Sequence, residues 1–247
     1  MWQTDSLVLV TLTFLAAGFV KGVVGLGLPT IVLGVLAVPL GITQAIAVLL
    51  VPSLVTNAVQ GFSGPEPLAI CRRLWPLLLA AALGILVGTG ALARSTGTGP
   101  AIALGVLIAL HGAISLLAPP IPHPGRNERW LSPLAGLANG LITGFTGSAI
   151  LPAVLYFQAL RLDKERLVQG MGLLFCISTA VLMVAFTRYR LLTAELALLS
   201  SLALIPALGG LWLGARVRRR IAEERFRRLL YVALVVLGLG IVWRTTG

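Results

Sequence analysis

Gly18-Phe19-Val20-Lys21-Gly22-Val23-Val24-Gly25-Leu26-Gly27-Leu28-Pro29-Thr30 decides how the chain folds, together with a second stretch that answers it 118 residues later. The second stretch runs Gly136-Leu137-Ala138-Asn139-Gly140-Leu141-Ile142-Thr143-Gly144-Phe145-Thr146-Gly147-Ser148 and reaches Pro152. The two lie inside apolar runs spanning 6–38 and 130–160. As a straight helix at 1.5 Å per residue, each run would measure nearly 50 Å, by this estimate too long for one ordinary crossing of hydrocarbon about 30 Å thick. Glycines interrupt both near their middles. Gly18 pairs with Gly136, Lys21 with Asn139, Gly22 with Gly140 and Thr30 with Ser148.

Working outward, further apolar runs cover 42–63, 74–93, 100–118, 167–187, 191–214 and 226–243. Each broken run is thus followed by three ordinary ones. The chain reads as an all-α polytopic membrane protein of two pseudo-symmetric repeats. Each repeat is a broken or re-entrant helical segment plus three transmembrane helices. The expected domains are a first repeat over 1–118, a Pro-rich linker over 119–128 and a second repeat over 129–247. Paired Gly/Pro-interrupted segments in corresponding positions of two halves point to a transporter's binding site.

Composition agrees. Of 247 residues, 57% are hydrophobic and 11% charged, against roughly 25% charged in a soluble domain. No stretch is left for a separate soluble head, which argues against a membrane-tethered enzyme. The net charge of +11 could suit nucleic acid, but the basic residues sit in short gaps between apolar runs, where they fix membrane orientation. No nucleic-acid partner is expected. Cys71, read as interhelical, and Cys176, inside an apolar run, show no CxxC or Cys/His spacing, so neither zinc nor a disulfide framework is indicated. The N-terminal Met1-Trp2-Gln3-Thr4-Asp5-Ser6 lacks a basic region and a small-residue cleavage site, and no cleaved signal is expected.

Basic residues arbitrate the topology. Arg216, Arg218, Arg219, Arg220, Arg225, Arg227 and Arg228 form the densest cluster and are assigned to the inside. Eight simple crossings would make the repeats parallel. Two re-entrant hairpins would make them inverted, bringing Arg72, Arg73, Arg126 and Arg129 to the inside and Arg94 out, which follows the rule better. Both topologies put the two termini outside.

Lys21 is the charged residue well inside an apolar run. A cation at a helix centre costs at least about 2.5 kcal/mol to insert, so its presence is a functional hypothesis. A break over Gly22, Gly25 and Gly27 would start a second half-helix near Leu28-Pro29-Thr30, with unpaired N–H groups and a positive dipole end facing the gap. Together with a nearby ammonium this forms an anion site. In the second half Gly144 and Gly147 would break the helix and Ser148 would start the next, with Asn139, Thr143 and Thr146 as donors. Two such helix ends near the bilayer midplane could hold an oxyanion between them. Asn57 beside Thr56, and Ser178-Thr179, hold similar places in the following spans; they face such a site or bond between helices. GxxxG spacings are common at close helix crossings, and Lys21 could instead snorkel toward an interface. His111 suits a structural hydrogen bond better than a proton relay. No Asp or Glu falls in the interior of a run, which argues against a cation carrier. No metal or cofactor is expected, and no HExxH, paired carboxylates or Ser/His/Asp set points to an enzyme. The small-residue faces permit a homodimer without predicting one.

At Gly22-Val23-Val24-Gly25-Leu26-Gly27, at Gly140-Leu141-Ile142-Thr143-Gly144-Phe145-Thr146-Gly147 and at the Ala159-Leu160-Arg161-Leu162-Asp163 turn, the chain resembles the TauE/SafE family of sulfite exporters, also called toluene-sulfonate uptake permeases. The resemblance covers essentially the whole length, with Leu28-Pro29 standing where the family has further glycines. It implies a multi-pass protein of the bacterial inner membrane and a sulfur-containing anion as substrate: sulfite, sulfoacetate, thiosulfate or a related compound. The alternatives are a carboxylate or amino-acid carrier, which the same helix ends and Lys21 would suit, and a non-transporting membrane scaffold.

Overall fold

A computed structural model describes residues 4–64, 66–117, 122–218 and 223–246. Ala118 to Ile121 at the start of the Pro-rich linker, Pro65, and Arg219 and Arg220 of the basic cluster lie outside the described residues. The helices are α1 (Thr4–Val24), α2 (Leu28–Leu40), α3 (Ile42–Phe62), α4 (Pro67–Arg94), α5 (Gly99–Leu117), α6 (Glu128–Thr146), α7 (Ala153–Ala159), α8 (Lys164–Arg188), α9 (Ala194–Val217) and α10 (Glu223–Thr246). No strand occurs among the described residues. Seven of these helices, α1, α3, α4, α5, α8, α9 and α10, are long and apolar enough to cross a membrane. The expected all-α polytopic architecture is what is found, with each long broken run split into two helices, α1–α2 and α6–α7. Cys71 lies within α4 rather than between helices, because Pro67 starts that helix ahead of its apolar run.

Charge that the apolar interiors exclude is placed at helix ends. Asp5, Glu128, Glu165 and Glu195 sit in first turns, where the helix dipole favours an anion. Asp163 accepts from the Arg166 N–H at 2.9 Å and Thr193 from the Leu196 N–H at 3.2 Å, capping α8 and α9. Leu83, Val87, Leu134, Ile205 and Val236 are exposed. In water that surface would be unfavourable; against lipid it is not.

The contacts divide the chain into two compact units, and each takes helices from both sequence halves. One comprises Met1–Pro52, Thr98–Leu117 and Leu192–Gly247; the other comprises Ser53–Gly97 and Ala118–Leu191. In the first unit α1 packs on α9, α5 on α10, and α2 on α1, α5 and α10. In the second, α4 packs on α6 and α8, while α7 packs on both α6 and α8. The division falls inside α3, between Pro52 and Ser53.

Glycine makes the principal crossing of each unit. A Cβ on Gly18 or Gly22 would collide with the Ala207 or Leu211 carbonyl of α9, and one on Gly210 or Gly214 with the Leu15 or Phe19 carbonyl of α1. In the second unit Gly136, Gly140 and Gly144 of α6 face the Leu77, Ala81 and Ile85 carbonyls of α4, and Gly84 and Gly88 face Leu137 and Leu141. Both pairs run parallel, in the same four-residue steps. Two further pairs run antiparallel. Gly105 meets Gly238 and Gly112 meets Tyr231 between α5 and α10, and Gly61 meets Leu173 between α3 and α8. Helices approach this closely only where side chains are absent.

At Pro52 the α3 ladder loses a donor, leaving the Val48 carbonyl without its helical partner. Ser200 of α9 supplies the replacement. Its hydroxyl donates to Val48 O at 2.8 Å and accepts from the Val51 N–H at 3.0 Å.

Candidate functional site

The first break is short and matches the expected position. α1 ends at Val24, Gly25 and Gly27 take left-handed φ values of 87° and 105°, and α2 begins at Leu28. A Cβ at Gly25 would meet nothing within 4 Å, so glycine is required there for its backbone and not for space. Gly25 N–H donates to Lys21 O at 2.7 Å and Ile31 N–H to Gly27 O at 3.0 Å, closing one helix and opening the other. Pro29 stands in the first turn of α2, and Gly27 offers no side-chain cap. The α2 N-terminus therefore keeps N–H groups that no cap covers, and the Thr30 hydroxyl, on a residue 1% exposed, has no protein partner. Lys21, 5% exposed, occupies the last turn of α1. That turn carries the negative end of the α1 dipole, which offsets part of the cost of burying the ammonium.

The second break differs. α6 ends at Thr146 with Gly147 left-handed at φ 77°, and the Gly147 N–H donates to Thr143 O at 2.7 Å. Ser148 does not start the next helix as expected. An irregular segment follows, and α7 begins only at Ala153 and lasts seven residues. The reason lies in proline placement: Pro29 stands before Thr30, whereas Pro152 comes after Ser148, and each new helix starts beside its proline. The expected hydroxyl donors are used within the break. Thr143 Oγ1 donates to Asn139 O at 2.6 Å, Thr146 Oγ1 donates to Ile142 O at 2.7 Å, and Thr146 Oγ1 accepts from Ser148 N–H at 3.3 Å. Asn139 is the exception. Its residue is 0% exposed, and neither its Nδ2 nor its Oδ1 has a protein partner.

Lys21, Gly22, Gly25, Gly27 and Thr30 belong to the first unit; Asn57, Asn139, Gly140, Thr143, Gly144, Thr146, Gly147 and Ser148 belong to the second. Of the glycines, Gly25, Gly27 and Gly147 form the breaks, while Gly22, Gly140 and Gly144 lie at helix crossings. Asn57 Nδ2 donates to Ser53 Oγ at 3.0 Å, and Ser53 Oγ lies 3.4 Å from Thr179 Oγ1, so this group links α3 to α8. Gln60 Nε2 donates to Val168 O and Gln169 Nε2 to Gly61 O, reciprocating across the same crossing. His111 pairs with Ser115 and stacks edge-on with Tyr231, a structural role.

Sequence reasoning passed over Thr89, buried in α4 with no partner for its hydroxyl. The signal was there: a lone hydroxyl between Gly88 and Gly90 inside an apolar run. It also passed over Ser132 and Tyr156, whose buried hydroxyls have no well-formed hydrogen bond.

The comparisons with curated proteins and with solved structures return no match. The comparison with protein families does: residues 10–241 match the family described as Sulfite exporter TauE/SafE. That span reaches from the first broken run, short of its opening turn, into α10, nearly the whole chain, so the chain belongs to the TauE/SafE sulfite exporter family.

Proposed function

We propose that the chain is a secondary transporter exporting a small sulfur-containing anion, such as sulfite or an organosulfonate, across the bacterial inner membrane. One observation carries the reading. An uncapped helix N-terminus, a buried unpartnered Thr30 hydroxyl and the buried Lys21 ammonium occur within one short break. Backbone N–H groups at a helix start, with the dipole behind them, bind oxyanions. Lys21 balances the charge of the ligand at depth, where an isolated ion is costly. Gly25 and Gly27 let backbone approach the anion, while Gly22 holds α1 against α9 beside them.

The second unit offers candidate contacts of its own at the second break: the unpartnered amide of Asn139, with Thr143, Thr146, Gly147 and Ser148 beside it, while Gly140 and Gly144 hold α6 against α4. Asn57, bonded to Ser53, steadies α3 in the same unit. The repeats are read as 1–118 and 129–247, joined by 119–128, and as inverted. Corresponding helices support this, since α3 runs antiparallel to α8 and α5 to α10. Both termini are assigned to the outside, opposite Arg216 and Arg218.

The test is thermal stabilisation of purified protein by sulfite, sulfoacetate, taurine, sulfate, acetate and chloride, repeated with Lys21→Met and Thr30→Val. A ligand that binds only the folded state stabilises by about 2.7 kcal/mol at a hundred times its Kd. A shift with a sulfur anion that Lys21→Met removes is the expected result. A shift with acetate alone would favour a carboxylate carrier, and no shift with any anion would favour a scaffold.

A further inference from the structure

A second basic site lies in the unit containing α4 and α6, away from both breaks in sequence. Where the N-terminal turns of these two helices meet there is a cavity of about 980 Å³, lined by Arg73, Trp75, Arg126, Glu128, Arg129 and Ser132 among others. The wall is built by an ion pair: Arg73 Nε and Nη2 donate to the two oxygens of Glu128 at 2.9 and 3.0 Å. Glu128 is thereby committed. Arg126 and Arg129 have no ion pair or hydrogen bond among the described residues, so the cavity keeps two uncompensated guanidiniums. Ser132 is buried on its wall, and its hydroxyl has no well-formed hydrogen bond.

Helix length sets the depth of this cavity. α4 has 28 residues, about 42 Å at 1.5 Å per residue. Its apolar run over 74–93 alone matches hydrocarbon about 30 Å thick. The turns before Leu74, with Arg72 and Arg73, therefore project to headgroup level. Trp75 at 60% and Trp130 at 76% exposure mark the same level, as interfacial tryptophans do. Below the cavity, exposed apolar side chains continue along both helices: Leu79 and Leu83 on α4, Leu134 and Leu137 on α6.

We propose that this cavity is a binding site for a phosphate-type oxyanion carried by an anionic phospholipid. The phosphate pairs with Arg126 and Arg129 and accepts from Ser132, and the acyl chains lie along the Leu79/Leu83 and Leu134/Leu137 stripes. Planar guanidiniums suit phosphate oxygens, and basic pockets beside membrane helices recognise anionic headgroups. The apolar stripes favour an amphiphile over a free ion.

Native mass spectrometry of the full chain in non-ionic detergent, with phosphatidylglycerol or phosphatidylcholine added, tests this. Phosphatidylglycerol adducts should exceed phosphatidylcholine adducts several-fold on the unaltered protein and lose that preference in R126Q/R129Q. Both positions are exposed, so the variant should fold. R188Q/R190Q, which removes equal charge elsewhere, should keep the preference. Equal adducts on R126Q/R129Q and the unaltered protein, or equal loss in R188Q/R190Q, would overturn the site. Inorganic phosphate is the separate arm. If it stabilises the protein in an Arg126- and Arg129-dependent way while phosphatidylglycerol shows no preference, the lipid source is overturned.

Discussion

Asn139 and Lys21 hold matched places in the sequence but differ in how the fold treats them. Lys21 sits at a helix C-terminus whose dipole favours a cation. Asn139 sits mid-helix with both polar atoms of its side chain lacking a protein partner, a situation costing about 1–3 kcal/mol for each group. Asn139→Leu keeps the branched skeleton and removes both groups. The melting temperature should hold or rise while anion transport into proteoliposomes falls at least tenfold. A fall in both would mean that the amide supports the fold instead. That Lys21 and Asn139 lie deep in the protein was legible from the apolar runs around them. What could not be read was which hydroxyls are already used: Thr143 and Thr146 bond back to their own helix, and sequence spacing does not distinguish a donor in use from one available to a ligand.

Among the helices, the glycines sort into two kinds that the sequence shows alike. Gly25 has space around it but a left-handed backbone, so Gly25→Ala should cost about 1–2 kcal/mol, the usual left-handed penalty. Gly140 is helical and faces the Ala81 carbonyl of α4, so Gly140→Ala should force α6 off α4 and cost about 3 kcal/mol or more. Thermal unfolding in detergent, comparing the two variants, checks the order. The four-residue glycine spacing announced close crossings, but it named no partner, because the pattern is the same whichever helix fits into it. The Ser200 bridge at Pro52 was equally hidden, since it joins residues about 150 apart. Ser200→Ala leaves Val48 O unpaired and should lower stability by about 1–3 kcal/mol, with α3 amides near Val51 exchanging faster in hydrogen-exchange measurements.

At the scale of the molecule, the repeats read from sequence and the compact units are different partitions of one chain. The two-repeat reading rests on paired glycines that recur 118 residues apart. The exchange of helices was not, because periodicity within a run does not say where its apolar or glycine face is buried. α1 of the first half packs on α9 of the second, and α6 of the second on α4 of the first. Residues 1–118 and 129–247 made as separate chains should each be degraded when expressed alone. Expressed together, they should co-purify in detergent. Independent accumulation of either half would contradict that dependence.

The same exchange sets an order of assembly during synthesis. α6 follows α4 after about 34 residues, whereas α9 follows α1 after about 170. At about 5–20 residues per second, the glycine face of α6 finds its partner already in the membrane within seconds. The face of α1 waits roughly 10–30 seconds, by the same rate, for a helix the ribosome has yet to make. Over that interval Gly18, Gly22 and the Lys21 ammonium have neither α9 nor a finished unit around them. The newborn α1 is therefore the segment most in need of a chaperone or of the insertion machinery's own shelter.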